Sequence, residues 1–136
     1  MTYQYFDVTR ADEVPAVLKR IAASRADALL VWYDPAVVGS RLREIAAFAI
    51  KHKLVSIGSA RAVVNTGGLL YYGPVASDIA DQTAGYVDRI LRGAKPADLP
   101  VQMPRKYELV INAKTARAIG YKIPAALAMR ADEIID

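Results

Sequence analysis

The chain has no cysteine. That excludes a disulfide framework, a thiolate metal centre and a cysteine nucleophile. It has a single histidine, His52, set between Lys51 and Lys53. A Ser-His-Asp set would have to use that residue, and no G-x-S-x-G elbow accompanies it. His52 reads instead as a half-buried helix-end residue near the negative end of the helix dipole. There is no P-loop, and Gly67-Gly68 lacks the spacing of a dinucleotide fingerprint. The acids lie singly along helix-patterned stretches, so no metal cluster is visible. No apolar run approaches the ~18 residues that would span a bilayer. The opening MTYQYFDVTRADE has neither the basic nor the apolar region of a signal peptide, so the chain is expected not to be exported by itself. These absences predict no catalytic residue, no metal and no cofactor, and therefore no enzyme.

What is present describes an ordinary globular domain. Over 136 residues, 54% are apolar and 24% charged, which is enough for one domain with a real core. The net charge of +4 is scattered, with Arg105-Lys106 as its longest basic cluster. Nucleic-acid binders gather Lys and Arg on one face or arm, so no nucleic-acid partner is expected.

Strand and helix signals alternate. Tyr3 to Val8, rich in aromatic and β-branched residues, predicts a strand. Val14, Val17, Leu18 and Ile21 recur at helical spacing over Asp12 to Ser24. The continuous apolar run Ala28 to Tyr33 suits a buried parallel strand and stops at Asp34-Pro35. A helix is expected from Ala36 to His52, a short strand from Leu54 to Ile57, and a helical turn over Ala60 to Asn65. Another short strand, Leu69 to Tyr72, ends at Gly73-Pro74. A long helix follows over Ser77 to Arg92, with Ile79, Thr83, Tyr86, Val87 and Ile90 as its inner stripe and Gly93 as its cap. The proline-rich stretch 94–104 predicts an extended strap and the one candidate boundary, dividing a lobe over 1–100 from a crossover segment over 101–136. Tyr107 to Ile111 reads as a strand, Asn112 as the N-cap of a helix to Ile119, and Pro124 as the start of a short final helical region. This alternation implies an α/β fold, a Rossmann-like three-layer lobe with a mostly parallel sheet covered on both faces.

In open α/β sheets, ligands sit outside the carboxyl ends of the strands. Three segments should end there, and they nominate Asp34, Ser59, Tyr71, Tyr72 and Gly73 as ligand-binding residues. Asp34 could accept a hydrogen bond from a ligand ammonium or hydroxyl, or it could cap the turn at Pro35. Tyr71 and Tyr72 alternate across the sheet, so one faces the crevice and the other packs in the core.

Gly67-Gly68-Leu69, Tyr72-Gly73, the run Ala84-Gly85-Tyr86-Val87-Asp88-Arg89-Ile90-Leu91, the run Gly93 to Val101 and Ile111-Asn112 through Gly120 together resemble a family. It is the ABC-transporter substrate-binding proteins related to tryptophan- and amino-acid-binding lipoproteins. The resemblance covers the whole chain and is strongest in its second half. It implies a type I periplasmic binding protein lobe, specifically the C-terminal lobe, lacking the N-terminal lobe and the first strand and helix of its own. It implies that lobe closure traps a small organic ligand such as an amino acid or aromatic acid. The implied partners are an ABC permease and ATPase, in a periplasmic full-length parent. A ligand-sensing regulatory domain of the same fold, or a truncated remnant without transport function, is the alternative. Leu54-Val55-Ser56 and Tyr71 depart from the family pattern at the crevice, so ligand identity does not carry over. Finally, Tyr107 to Ile111 is expected to lack its usual neighbours and to pair with a second copy, giving a homodimer through the C-terminal segment.

Overall fold

The computed structural model describes residues 2–136. Five strands form one sheet in the order β1-β2-β3-β4-β5. They are β1 (Ala28–Val31), β2 (Val55–Gly58), β3 (Leu70–Pro74), β4 (Tyr107–Asn112) and β5 (Glu133–Ile135). The first three run parallel, with Leu30 level with Ile57 and Ile57 level with Leu70. β4 returns antiparallel to β3, and β5 runs parallel to β4. The helices are α1 (Val14–Ala23), α2 (Leu42–Lys51), α3 (Arg61–Asn65), α4 (Ala76–Leu91), α5 (Ala113–Ile119) and α6 (Ala125–Ala128). This is the mostly parallel three-layer α/β lobe that the alternation predicts.

The main core lies on one face of the sheet. Val14, Val17, Leu18 and Ile21 of α1 meet Leu42, Ile45 and Ala49 of α2, with Val31 of β1 beneath them. Helical spacing of apolar residues puts each set on one face, and burying it is what holds these ten-residue helices. The short helix α3 sits closest to the sheet. A Cβ on Gly58 would lie 2.4 Å from Val63 Cβ, and one on Gly68 would lie 2.8 Å from the Val63 carbonyl oxygen. Both positions therefore need glycine for the helix to approach. Val64 then packs with Tyr71 and Val110, carrying the core across to β4.

Several expectations are corrected. Tyr3 to Val8 forms no strand; Phe6 and Val8 pack against the α1–α2 core without joining the ladder, which ends at β1. The second helix begins only at Leu42, because Asp34 holds residues 35–38 in a turn: Ala36 and Val37 donate to Asp34 Oδ1 at 2.9 and 2.8 Å. The sheet's second face is covered only in part, where Val55 and Leu70 pack with Ala116 and Ile119 of α5 and with Tyr121 and Ile123. Leu30, Trp32 and Tyr72 stand exposed on the face away from the main core. The expected inner stripe of α4 is not inner: Ile79, Thr83, Val87 and Ile90 are exposed and Tyr86 is half-buried. The strand β5 was not foreseen; the sequence after Pro124 reads only as a short helical region. It forms because Leu109 donates to Asp132 Oδ2 at 2.7 Å and starts the ladder.

The strand at Tyr107 also finds its neighbours at home. β4 is paired on one side with β3 and on the other with β5, so the open edge at Tyr107 to Ile111 that motivated exchange of the C-terminal segment does not exist.

The return to β4 is pinned by a buried carboxylate. Asp78, in the first turn of α4, accepts from Arg105 N at 2.9 Å, from Arg105 Nε at 3.1 Å and from Gln82 Nε2 at 2.7 Å. The backbone donor of Arg105, followed by its positive charge, holds this carboxyl below the usual carboxylate range. A depressed carboxylate contributes stability above its unfolded pKa, about 3.9, and loses it as pH falls through the lower folded value. Wild type should therefore be more stable than Asp78→Asn in urea at pH 7 by a margin that shrinks as the pH is taken below about 4. A margin that is constant or grows on acidification would contradict this role.

Candidate functional site

Because β1, β2 and β3 are parallel, their carboxyl ends emerge along one edge of the sheet. The antiparallel β4 brings its amino end to the same edge, with Glu108 level with Gly73 and Tyr107 level with Pro74. Asp34, Ser59, Tyr72 and Gly73 all stand along this edge. No helix among the described residues is long and apolar enough to cross a membrane, and none of their His, Asp and Glu residues cluster as a metal site.

The loops after β1 and β2 are tied together there. Tyr33 N donates to Ser59 Oγ at 2.8 Å, and Ser59 N donates to the Val31 carbonyl at 3.0 Å. Ser59 thus spends its hydroxyl lone pair on positioning the loop that carries Asp34. Asp34 spends Oδ1 on the Ala36 and Val37 amides, which is the capping role, while its carboxylate remains at the edge. The two tyrosines divide as alternation requires. Tyr71 is buried, packs with Val64 and Val110, and donates its hydroxyl to the Pro74 carbonyl at 2.9 Å. Burial, the larger effect, and the neighbouring Glu108 raise its pKa. Tyr72 points to the other face, is exposed, and stacks on Tyr107 with ring centroids 5.8 Å apart. Gly73 lies under the Tyr71 ring: a Cβ there would sit 2.6 Å from the Tyr71 hydroxyl.

Two residues at this edge escaped the sequence reading. Arg61 opens α3 and reaches Glu108 at 2.6 Å and also pairs with Glu133, so it joins α3 to β4 and β5. Those hydrogen bonds, that to Glu133 foremost, raise its pKa. The pairs are partly solvent-exposed, and such pairs contribute about 0–1 kcal/mol. Nothing in a lone Arg after Ser59-Ala60 marks it in sequence, because both partners come from far along the chain. Trp32 was read as the end of a buried strand, yet its side chain is exposed on the same face as Tyr72. Its register two residues past Leu30 would have placed it there had the bare face been known. The edge itself is open. Two surface concavities lie elsewhere, one of about 390 Å³ between α1 and α2 and one of about 380 Å³ between α4 and the strap at Pro96–Gln102.

The fold is that of one three-layer α/β lobe of the periplasmic-binding-protein kind. Residues 1–135 match the family described as ABC transporter substrate binding protein, and the chain belongs to that family. Among solved structures it is similar to a conserved domain protein from Vibrio cholerae O1 biovar El Tor (30% identity, TM-score 0.83), covering 93% of this chain and 42% of that one. It is similar to an ABC domain in complex with L-Trp from Streptococcus pneumoniae (27% identity, TM-score 0.83), covering 97% of this chain and 44% of that one. The fold is shared with the ligand-free, open substrate-binding protein with adhesive properties from Clostridium difficile (21% identity, TM-score 0.69), covering 94% and 42% of the two chains. This chain therefore spans less than half the length of each of these structures. A comparison with curated proteins gives no match.

The contact under Gly73 is directly testable. Gly73→Ala should lower the unfolding free energy by about 1–3 kcal/mol through overpacking against Tyr71. In a Tyr71→Leu background the same change should cost less, since the ring is gone. Equal costs in the two backgrounds, read from urea midpoints, would show that Gly73 serves something other than this contact.

Proposed function

We propose that this chain supplies one wall of a solute-binding cleft for a small organic ligand, an amino acid or aromatic acid, as part of an ABC importer. The observation that carries this is the convergence of Asp34, Ser59 and Tyr72 at the carboxyl edge of three parallel strands in a chain of the substrate-binding family. That edge is where open α/β sheets place ligands. Asp34 would take a ligand ammonium on the carboxylate oxygen that its turn leaves over, and Tyr72 would offer an aromatic face to an apolar side chain. Ser59 acts as a positioning residue through Tyr33. The L-Trp complex of the pneumococcal relative favours an amino-acid ligand. In this reading residues 101–136 buttress the wall, closure against a second lobe traps the ligand, and the importer's permease, driven by its ATPase, receives it outside the cytoplasm. The role is binding, without catalysis.

One wall makes only some of the contacts while the cost of immobilising the ligand stays whole, so affinity should be weak, about millimolar. Titrating the labelled chain with L-tryptophan and a panel of other amino acids, followed by amide NMR shifts, tests this. The expected shifts fall on Tyr33, Asp34, Ser59 and Tyr72, and Asp34→Asn should weaken them several-fold. Shifts that map to the α1–α2 concavity, or none up to about 20 mM of any amino acid, would contradict the proposal.

A further inference from the structure

Charge is unevenly shared along the strand edge. At its β1 end Asp34 is exposed, and its Oδ1 alone serves the Ala36 and Val37 amides. The loop that carries it is closed on itself, since Gly39 N donates to the Asp34 carbonyl at 2.7 Å. The carboxylate is thus held at the end of β1 with an oxygen to spare.

The cations near the edge are engaged or stand elsewhere. Arg61 puts its guanidinium between Glu108, at 2.6 Å, and Glu133. Those partners sit on β4 and β5, three and four strands from β1, which is roughly 14–19 Å at about 4.8 Å per strand. One guanidinium between two carboxylates also leaves that end of the edge net negative. Arg105 is bound to the buried Asp78 at 3.0 Å, and Arg10 to Asp12 at 2.6 Å. Arg41 pairs with Glu44 at 3.4 Å, and Arg43 is exposed on the solvent side of α2, whose buried side is Leu42, Ile45, Ala46 and Ala49. Lys106 and Arg130 lie just ahead of β4 and β5, with the far strands.

The two charged groups of an α-amino acid are carried by one carbon atom. An ammonium seated on Asp34 therefore brings its carboxylate to the β1 end of the edge, beside a like charge and far from the Arg61 guanidinium. Like charges about 4 Å apart in water cost roughly fivefold in affinity.

We infer, on the basis of the ligand wall proposed above, that this wall takes its ligand by the ammonium alone and leaves the carboxylate turned away, toward the other side of the cleft. The ligand class it reads is the protonated aromatic amine. An amino acid fits through its amine, and an aromatic acid without an amine does not fit. Tyr72, backed by its stack on Tyr107, stands two strands from β1, roughly 10 Å, a span comparable to the length of an arylethylamine.

Tryptamine, L-tryptophan and indole-3-propionate share one ring system and differ in their charged groups. Titrated into the labelled chain and followed by amide NMR shifts at Tyr33, Asp34, Ser59 and Tyr72, they test the inference. Tryptamine should bind as tightly as L-tryptophan or up to about fivefold tighter, and indole-3-propionate at least about tenfold more weakly than tryptamine. The chain's net charge of +4 would by itself favour the acid, so the expected order runs against bulk attraction. Asp34→Asn keeps an oxygen for the turn and should bring the three compounds to similar affinities. Arg41→Gln, Arg43→Gln and Arg61→Gln should each leave the ratio of tryptophan to tryptamine affinity unchanged. Indole-3-propionate binding as tightly as tryptamine, or tryptophan binding well above tryptamine, would overturn the inference and leave the wall standing. So would a ratio that shifts toward tryptamine in one of the arginine variants, since that guanidinium would then be reading the carboxylate. No shift at the edge with any of the three compounds would overturn the wall itself, and the inference with it.

Discussion

Asn112 stands where three pieces of backbone meet, and the sheet depends on it. Its amide donates to the Leu69 carbonyl at 2.9 Å, its side-chain Nδ2 donates to the Val64 carbonyl at 3.3 Å, and its Oδ1 accepts from Thr115 N at 2.8 Å. Thr115 in turn donates its hydroxyl to the Gly67 carbonyl at 3.0 Å. One residue thus ends β4, caps α5 and satisfies the turn between α3 and β3. All of this is buried, where an unpaired carbonyl costs about 1–3 kcal/mol and a lost N-cap typically about 1 kcal/mol. The tie fixes a strand from the end of the chain antiparallel to β3, and so fixes which end of β3 faces the open edge.

From that tie the rest of the lobe follows in order. α3 approaches the sheet because Gly58 and Gly68 leave room for Val63. Val64 and Tyr71 then bridge to Val110. Ser56, buried in β2, accepts from Leu69 N at 2.9 Å, which adds a side-chain bond to the parallel pairing of β2 with β3. The carboxyl edge of β1–β3 is what this frame presents. Ser59 holds the Tyr33 amide and Asp34 holds the Ala36 amide, so both loops are fixed before any ligand arrives, which is the preorganisation that a binding wall needs.

How much of this was legible in the sequence depends on where each partner lies. α1 and the strands β1 to β4 were readable because their apolar periods are local. Asn112 as an N-cap and Gly120 as a left-handed stop, with φ of 73°, were readable for the same reason. The division of Tyr71 from Tyr72 followed from strand alternation, although which one faced inward did not. The misses are non-local. Arg61 gains meaning only from Glu108 and Glu133, and β5 only from Leu109. Tyr3 to Val8 has strand composition but does not join the sheet among the described residues, and composition alone does not decide that. The inner stripe of α4 was an amphipathic pattern, yet Ile79, Thr83, Val87 and Ile90 are exposed among the described residues. The family match was reached from motifs in the second half and extends over residues 1–135.

Native-state amide hydrogen exchange tests most directly whether the Asn112 tie governs the sheet. If it does, the amides of Tyr71, Val110 and Ile111 exchange only through global unfolding, and in Asn112→Ala they drop to sub-global openings while β1 is little changed. Protection in β4 no greater than at the unpaired edge of β1, or unaffected by Asn112→Ala, would contradict the account.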